Sequence, residues 1–201
     1  MNSLVHVKRL SPAHRLKLKA HFLALRGEDL RLRFGAPLPP EAIEEYVDGI
    51  DFDRDAVFGV FDDDLNIAGV AHLARDPDVA ELGLSVSASH RGRGIGSALF
   101  RRAHEHTRNQ FIRALLMHCL AENEVMMHIA RKSGMQIVTH PGEAQAVIAL
   151  PPATPSSITG ELLEERVALF DFGLKSQVLV ARALFALRSA DAEPDSSTEK
   201  D

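Results

Sequence analysis

The chain has 201 residues, 45% of them hydrophobic, a net charge of −5 and a pI near 6.1. That length suits one domain with an appended segment, and the acidic balance argues against a general nucleic-acid binder. With a single cysteine, no signal peptide at its start and no apolar run near the ~20 residues of a spanning helix, the chain is expected to be cytoplasmic.

Residues 4–10 alternate in strand fashion, with Val5 and Val7 on one side and His6 and Lys8 on the other. Ser11-Pro12 opens a helix whose apolar stripe reads Leu16, Ala20, Phe22 and Leu23 and stops before Gly27. A short helix at 30–34 and a further one at 40–48 flank the breaker-rich Gly35 to Pro40. Strands follow at 56–61, 67–74 and 81–86. The first pair is joined by Asp62-Asp63-Asp64, an acidic hairpin turn that lacks the further ligands of a calcium loop. These three strands are expected to be antiparallel neighbours.

Directly after them comes Arg91-Gly92-Arg93-Gly94-Ile95-Gly96, and then a helix bearing Ala98, Leu99 and Ala103. A helix start has unpaired N–H groups and the positive end of a dipole, and glycines let several N–H groups converge on one anion. Phosphate or pyrophosphate is the usual guest of such a turn, although glycines can also merely cap and reverse a chain. The segment is not a P-loop, since no Lys-Ser or Lys-Thr follows a glycine. A dinucleotide fingerprint would need a glycine at Ser97. The pattern [RQ]-x-x-G-x-[GA] is met by Arg91, Gly94 and Gly96.

The remaining elements are a strand at 112–120, a helix at 123–133 closed by Gly134, and strands at 135–139 and 144–150. Cys119 lies in an apolar run and reads as an inert core thiol. His104-Glu105-His106 lacks the frame of a metal-binding helix and reads as a solvated face, so no metal is expected. Residues 1–150 thus form the main domain and 151–157 a linker. A helical extension over 158–190 is drawn as two stretches, 162–172 and 176–187, expected to pack on the domain, with a dimer contact or a membrane surface as the alternatives. Residues 191–201 are polar, charged and expected to be disordered.

The glycine loop and the element order resemble the GNAT superfamily of acyl-CoA-dependent N-acyltransferases over roughly residues 3–150. A second match lies in Asn123, Ile129, Lys132, Gly134 and Met135, which fit the family's N-x-x-A-x-x-L-Y-x-K-x-G-F frame. Segments 30–34, 50–54 and 80–82 are also similar to the acyltransferase domains of bacterial protein-lysine acetyltransferases. The resemblance implies an α+β GNAT fold, with a mixed, mostly antiparallel sheet flanked by helices. It implies that Arg91, Gly92, Arg93, Gly94, Ile95 and Gly96 cradle the pyrophosphate of acetyl-CoA. Val86 would offer strand backbone to pantetheine and the thioester, and Asn123 joins the cofactor-binding set. Glu81 stands where such families place a catalytic glutamate.

On the residues alone, Glu81 lies on the polar face of its strand, and His72 shares that face if Ala71 and Leu73 point to the core. His72 is then placed to orient Glu81 or to relay a proton, the other reading being a solvated or structural histidine. The family's tyrosine, thought to protonate the departing thiolate, is replaced by Ala130, and the chain's only tyrosine is Tyr46. The implied activity is acetyl transfer from acetyl-CoA to a primary amine, small molecule or protein lysine, by direct attack in a ternary complex. The alternatives are a non-catalytic acyl-CoA-binding regulator and an interaction protein working through its C-terminal helices. The partners expected are acetyl-CoA and an amine acceptor, with neither nucleic acid nor membrane, and a homodimer left open.

Overall fold

The computed structural model describes residues 5–190. In chain order the elements are β1 (Lys8–Arg9), α1 (Arg15–Leu23), α2 (Gly27–Phe34), α3 (Pro40–Asp48), β2 (Ala56–Phe61), β3 (Ile67–Arg75) and β4 (Val79–Val86). They continue with α4 (Ile95–Asn109), β5 (Ala114–Leu120), α5 (Glu124–Lys132), β6 (Gln136–His140), β7 (Glu143–Ala149) and α6 (Pro155–Ala190). The strands form one sheet in the order β1-β2-β3-β4-β5-β7-β6. The architecture is α+β, the GNAT arrangement that the resemblance implies.

Every neighbouring pair is antiparallel except β4 and β5. Those two run parallel and meet only at Val79–Ala114, Ala80–Leu115 and Glu81–Leu116. Beyond Glu81, β4 stays paired with β3 as far as Val86 opposite Gly69, and β5 stays paired with β7. The two strands therefore part company. The β5 side of β4 past Glu81 has backbone N–H and C=O groups with no strand to receive them.

Alternation along the strands covers both faces of the sheet. Phe58, Leu73, Leu82, Leu84 and Leu115 pack with Leu99, Ala103 and Ile129 of α4 and α5. Val57 and Val70 pack on the other side with Leu18, Phe22, Ile43 and Val47 of α1 and α3. Each large side chain so buried contributes about 1.5–3 kcal/mol. Gly69 lets α4 approach closely, because a Cβ there would lie 2.7 Å from Ile95 Cγ2. That approach brings the start of α4 to the end of β4.

Several local expectations need correction. Of the strand expected at 4–10, the described residues pair only at Lys8–Arg9, with Gly59 and Phe58 as partners. Ser11-Pro12 begins a 3-10 turn, Pro12–His14, before α1 proper. The buried face of α1 is Leu18, His21 and Phe22, whereas Leu16 is 80% exposed. A buried histidine accounts for that shift. His21 Nδ1 meets the Ile67 carbonyl at 2.9 Å and Nε2 meets Ser85 Oγ at 2.8 Å, so a polar ring occupies a core position.

Burial, opposed by the Ile67 bond, lowers the His21 pKa to about 4. A histidine depressed on folding stabilises the fold in its neutral form. That stability is complete above the unfolded value near 6.5 and is lost as pH falls toward about 4. Urea unfolding should weaken by about 3 kcal/mol between those limits, and His21→Gln should flatten the dependence. An unchanged pH profile in His21→Gln would assign the acid sensitivity elsewhere.

The C-terminal segment is one helix and not two, and it starts at Pro155, inside the stretch expected to be a linker. Gly173 does not break it, since Asp171 and Lys175 pair across it at 3.0 Å and Ser176 Oγ bonds the Phe172 carbonyl at 2.8 Å. The helix packs on α4 through charge. Arg102, 2% exposed, donates to Glu161 at 2.7 Å and Glu165 at 3.1 Å, with its guanidinium over the Phe58 ring. Glu161 also accepts from His106 at 2.6 Å and Asn109 at 2.6 Å. Burial would raise the Glu161 pKa, but these hydrogen bonds hold it at about 2. His106 is thus buried against α6 rather than on a solvated face. Farther along, Phe172 meets Phe61 edge-on at 4.8 Å. The tail at 191–201 lies outside the described residues.

Candidate active site

A cavity of about 520 Å³ opens where β4 leaves β5. Such a volume suits a small-molecule site. Alternation turns Glu81 and Gly83 of β4 into it, while Leu82 and Leu84 go to the core under α4. Antiparallel pairing with β3 sets His72 opposite Gly83, and β5 and β7 contribute His118 and Gln145. Helices close the other side with Arg33 and Phe34 from α2 and Tyr46 from α3.

Two hydrogen-bonded rows cross this cavity. In the first, Glu81 Oε1 accepts from His118 Nδ1 at 3.2 Å. A carboxylate only accepts, so the proton sits on Nδ1, and the bare Nε2 accepts from Gln145 Nε2 at 3.0 Å. Both Glu81 and His118 are about half exposed, at the mouth. In the second row, His72 Nε2 donates to Asp55 Oδ2 at 3.2 Å. Its Nδ1 then accepts from the Tyr46 hydroxyl at 2.7 Å, and the Tyr46 oxygen accepts from Arg33 Nη2 at 2.9 Å.

Burial holds His72 below its usual pKa against the opposing pull of Asp55, so the ring is neutral at pH 7. Burial likewise pushes the Tyr46 phenol up. Asp55 would be raised by burial, yet bonds from Arg54, the Arg75 N–H and His72 bring it below its ordinary value. His72 and Glu81 do share a face and a cavity, as expected. They are not bonded to each other, however: both ring nitrogens of His72 are used by Tyr46 and Asp55, and the partner of Glu81 is His118.

At the far end of β4 the chain turns through a 3-10 segment, Ala88–His90, into the glycine loop. Gly92 and Gly94 both have positive φ, 73° and 78°, and Gly94 is the N-cap of α4. No side chain caps that helix. The N–H groups of Ile95, Gly96 and Ser97 begin it without intrahelical partners, while the Ile95 side chain is buried. Arg91 is turned to Asp29 of α2, 2.5 Å away, with Nε 3.4 Å from the Val86 carbonyl. Arg93 donates to the Ser89 carbonyl at 3.1 Å.

Asn123 is buried as the N-cap of α5. Its Oδ1 accepts from the Met126 N–H at 3.1 Å and its Nδ2 donates to the Leu32 carbonyl at 3.3 Å, tying α5 to α2. Ala130 is 1% exposed, packed into the core beneath the sheet, so no side chain there reaches the cavity. Cys119 is half-buried against the core cluster at the edge of the cavity, and burial pushes its pKa up, which keeps it protonated. Among the described residues, no group of His, Cys, Asp or Glu side chains could hold a metal ion. No helix among them is long and apolar enough to cross a membrane.

Sequence reasoning did not single out Arg33, His118 or Gln145. His118 was within reach, because it shares the parity of Leu116, the partner of Glu81. Arg33 had no sequence signal: its place is set by the packing of α2 over Gly83, where a Cβ would collide with its guanidinium.

The same fold recurs among solved structures. The GNAT domain of S. lividans PAT superposes with a TM-score of 0.62 at 20% identity, over 72% of this chain and 89% of that one. A spermidine N-acetyltransferase from Vibrio cholerae, in complex with CoA and spermine, gives 0.60 at 19% identity, over 74% and 96%. RimL, a ribosomal L7/L12 alpha-N-protein acetyltransferase in complex with coenzyme A, gives 0.60 at 17%, over 75% and 97%. No curated protein sequence matches the chain. The model of the Acetyltransferase (GNAT) family matches residues 25–135, more than half of the chain and the whole span from α2 to the end of α5. The chain belongs to the GNAT family of acetyltransferases, enzymes that take their acetyl group from acetyl-CoA.

Proposed function

We propose that this protein moves an acetyl group from acetyl-CoA to a primary amine by direct attack in a ternary complex, with Glu81 as general base. The observation that carries the reading is the parting of β4 from β5 beside an uncapped, glycine-rich helix start. Free N–H groups at Ile95, Gly96 and Ser97 suit a pyrophosphate, with Arg91, Gly92, Arg93 and Gly94 shaping the turn. The unpaired backbone edge leading to Val86 suits the amide-bearing pantetheine arm. Asn123 supports that arm by fixing where α5 begins. The bound thioester supplies the acetyl group and the thiolate that departs.

Within the cavity, Glu81 takes the proton that the ammonium must lose before it can attack. His118 orients that carboxylate, and Gln145 fixes the tautomer of His118. His72 is a positioning residue: through Asp55 on one nitrogen and Tyr46 on the other, it sets the cavity wall. A non-catalytic acyl-CoA binder is the second reading, favoured by Ala130, where the family's phenol is missing. Release of thiol from acetyl-CoA in the presence of amines and lysine peptides separates the two. Turnover of at least one amine supports the enzyme, and binding without turnover of any supports the sensor.

The single half-buried thiol and the lack of a spanning helix among the described residues fit a cytoplasmic location. The homodimer finds support in α6. Leu163, Val167, Phe170 and Leu174 are 64%, 40%, 69% and 47% exposed, on the face turned away from Glu161, Glu165 and Ala168. Their spacing of three and four is that of a helix–helix seam. With Val178 and Leu184 they offer several hundred Å², on the order of one partner's share of a standard interface. Sedimentation equilibrium of the full chain beside Phe170→Asp decides it.

A further inference from the structure

We infer that Arg33 is an anion anchor and that the acceptor is an amine which also carries a carboxylate. The inference rests on the acetyl-transfer reading of the cavity and names its substrate class. Several arginines here have acidic partners: Arg31 has Glu28 and Glu122, Arg54 has Asp55, Arg91 has Asp29, and Arg102 has Glu161 and Glu165, whereas Arg15 and Arg93 bond backbone carbonyls outside this cavity. Arg33 has no carboxylate partner among the described residues, although it lines the cavity. Its hydrogen bond goes to a neutral phenol, Tyr46, at 2.9 Å. Its Nε is buried without a partner, as are those of Arg102 and Arg108, but of these three only Arg33 lines the cavity. The nearby carboxylate, Asp55, is occupied by Arg54 and His72.

The guanidinium is also held in place. It lies 4.8 Å from the centre of the Phe34 ring and 5.8 Å from that of Tyr46, and it rests on Gly83, which has no side chain to displace it. A fixed cation on the cavity wall, without an ionic partner of its own, is complementary to a planar anion. The same cavity presents Glu81 and Glu143, which only accept and so suit an ammonium group. One molecule bearing both groups satisfies both walls.

The test uses free α-amino acids, β-alanine and 4-aminobutyrate, each beside its carboxamide, with full-length protein saturated with CoA for binding and acetyl-CoA for transfer. Isothermal titration gives affinity, and thiol release gives kcat and KM. At least one acid should bind, or be acetylated with a lower KM, by ~10–100-fold over its carboxamide. Arg33→Met should bring that ratio close to one, and Arg33→Lys, which keeps the charge, should restore part of it. Absence of any preference in both readouts, or a preference that survives Arg33→Met, overturns the inference. Arg33-dependent binding of acids with no acetyl transfer to any amine would sink the transferase reading and leave the anchor standing.

Discussion

Glu81→Gln is expected to lower turnover by roughly 10²–10⁴, the span that general acid–base catalysis usually supplies. The substitution is close to isosteric, and its amide oxygen can still accept from His118 Nδ1, now 3.2 Å from the carboxylate. Geometry is therefore kept while the proton acceptor is lost. Glu81 lies at the point where β4 and β5 last pair, several residues before the glycine loop, so affinity for acetyl-CoA should stay near wild type. Steady-state kinetics and calorimetry on the same preparation check both halves. Full turnover in Glu81→Gln would make Glu81 an ordinary exposed strand carboxylate and His118 the next residue to replace.

Gly96→Asp is expected to weaken acetyl-CoA binding by at least ~100-fold with the fold intact. A Cβ at Gly96 would meet Ile129 Cδ1 at 3.4 Å, an ordinary contact, so the free protein has room for it. An acidic residue in the first turn of α4 also favours the helix by about 0.3–1 kcal/mol. The same charge, however, stands where the pyrophosphate should approach, and it competes for the same N–H groups. Gly96→Ala, which adds the methyl without the charge, should bind nearly as wild type. Gly94→Asp is a poorer probe, since φ of 78° there adds backbone strain to any loss. Thermal unfolding with calorimetric titration distinguishes a lost ligand from a lost fold. Wild-type affinity in a folded Gly96→Asp protein would remove the pyrophosphate from this loop.

What could be read from the sequence was what local pattern determines. β2 occupies Ala56–Phe61, as drawn from its apolar run and the aspartate turn that ends it. The glycine loop carries its own geometry, because positive φ at Gly92 and Gly94 and an uncapped helix start follow from the residues themselves. The cavity was less legible because seven elements meet there through sheet register and helix packing. Tyr46 and Arg33 belong to different helices, and only the closure of α2 and α3 over β3 and β4 joins them to His72. Buried polar groups misled the pattern in the same way twice. His21 sits where α1 should show an apolar residue, and His106 faces Glu161 where a solvated surface was expected.

The central claim is that acetyl-CoA lies along the free edge of β4 with its pyrophosphate on the start of α4. Hydrogen–deuterium exchange on the full chain, with and without acetyl-CoA, tests it most directly. Amides of residues 82–86 and 94–97 should exchange more slowly when acetyl-CoA is bound, because N–H groups now open to solvent would gain partners. Those of β1 and β6, at the two edges of the sheet, should not change. Protection confined to other segments, or no protection at a concentration that saturates binding, would contradict the account.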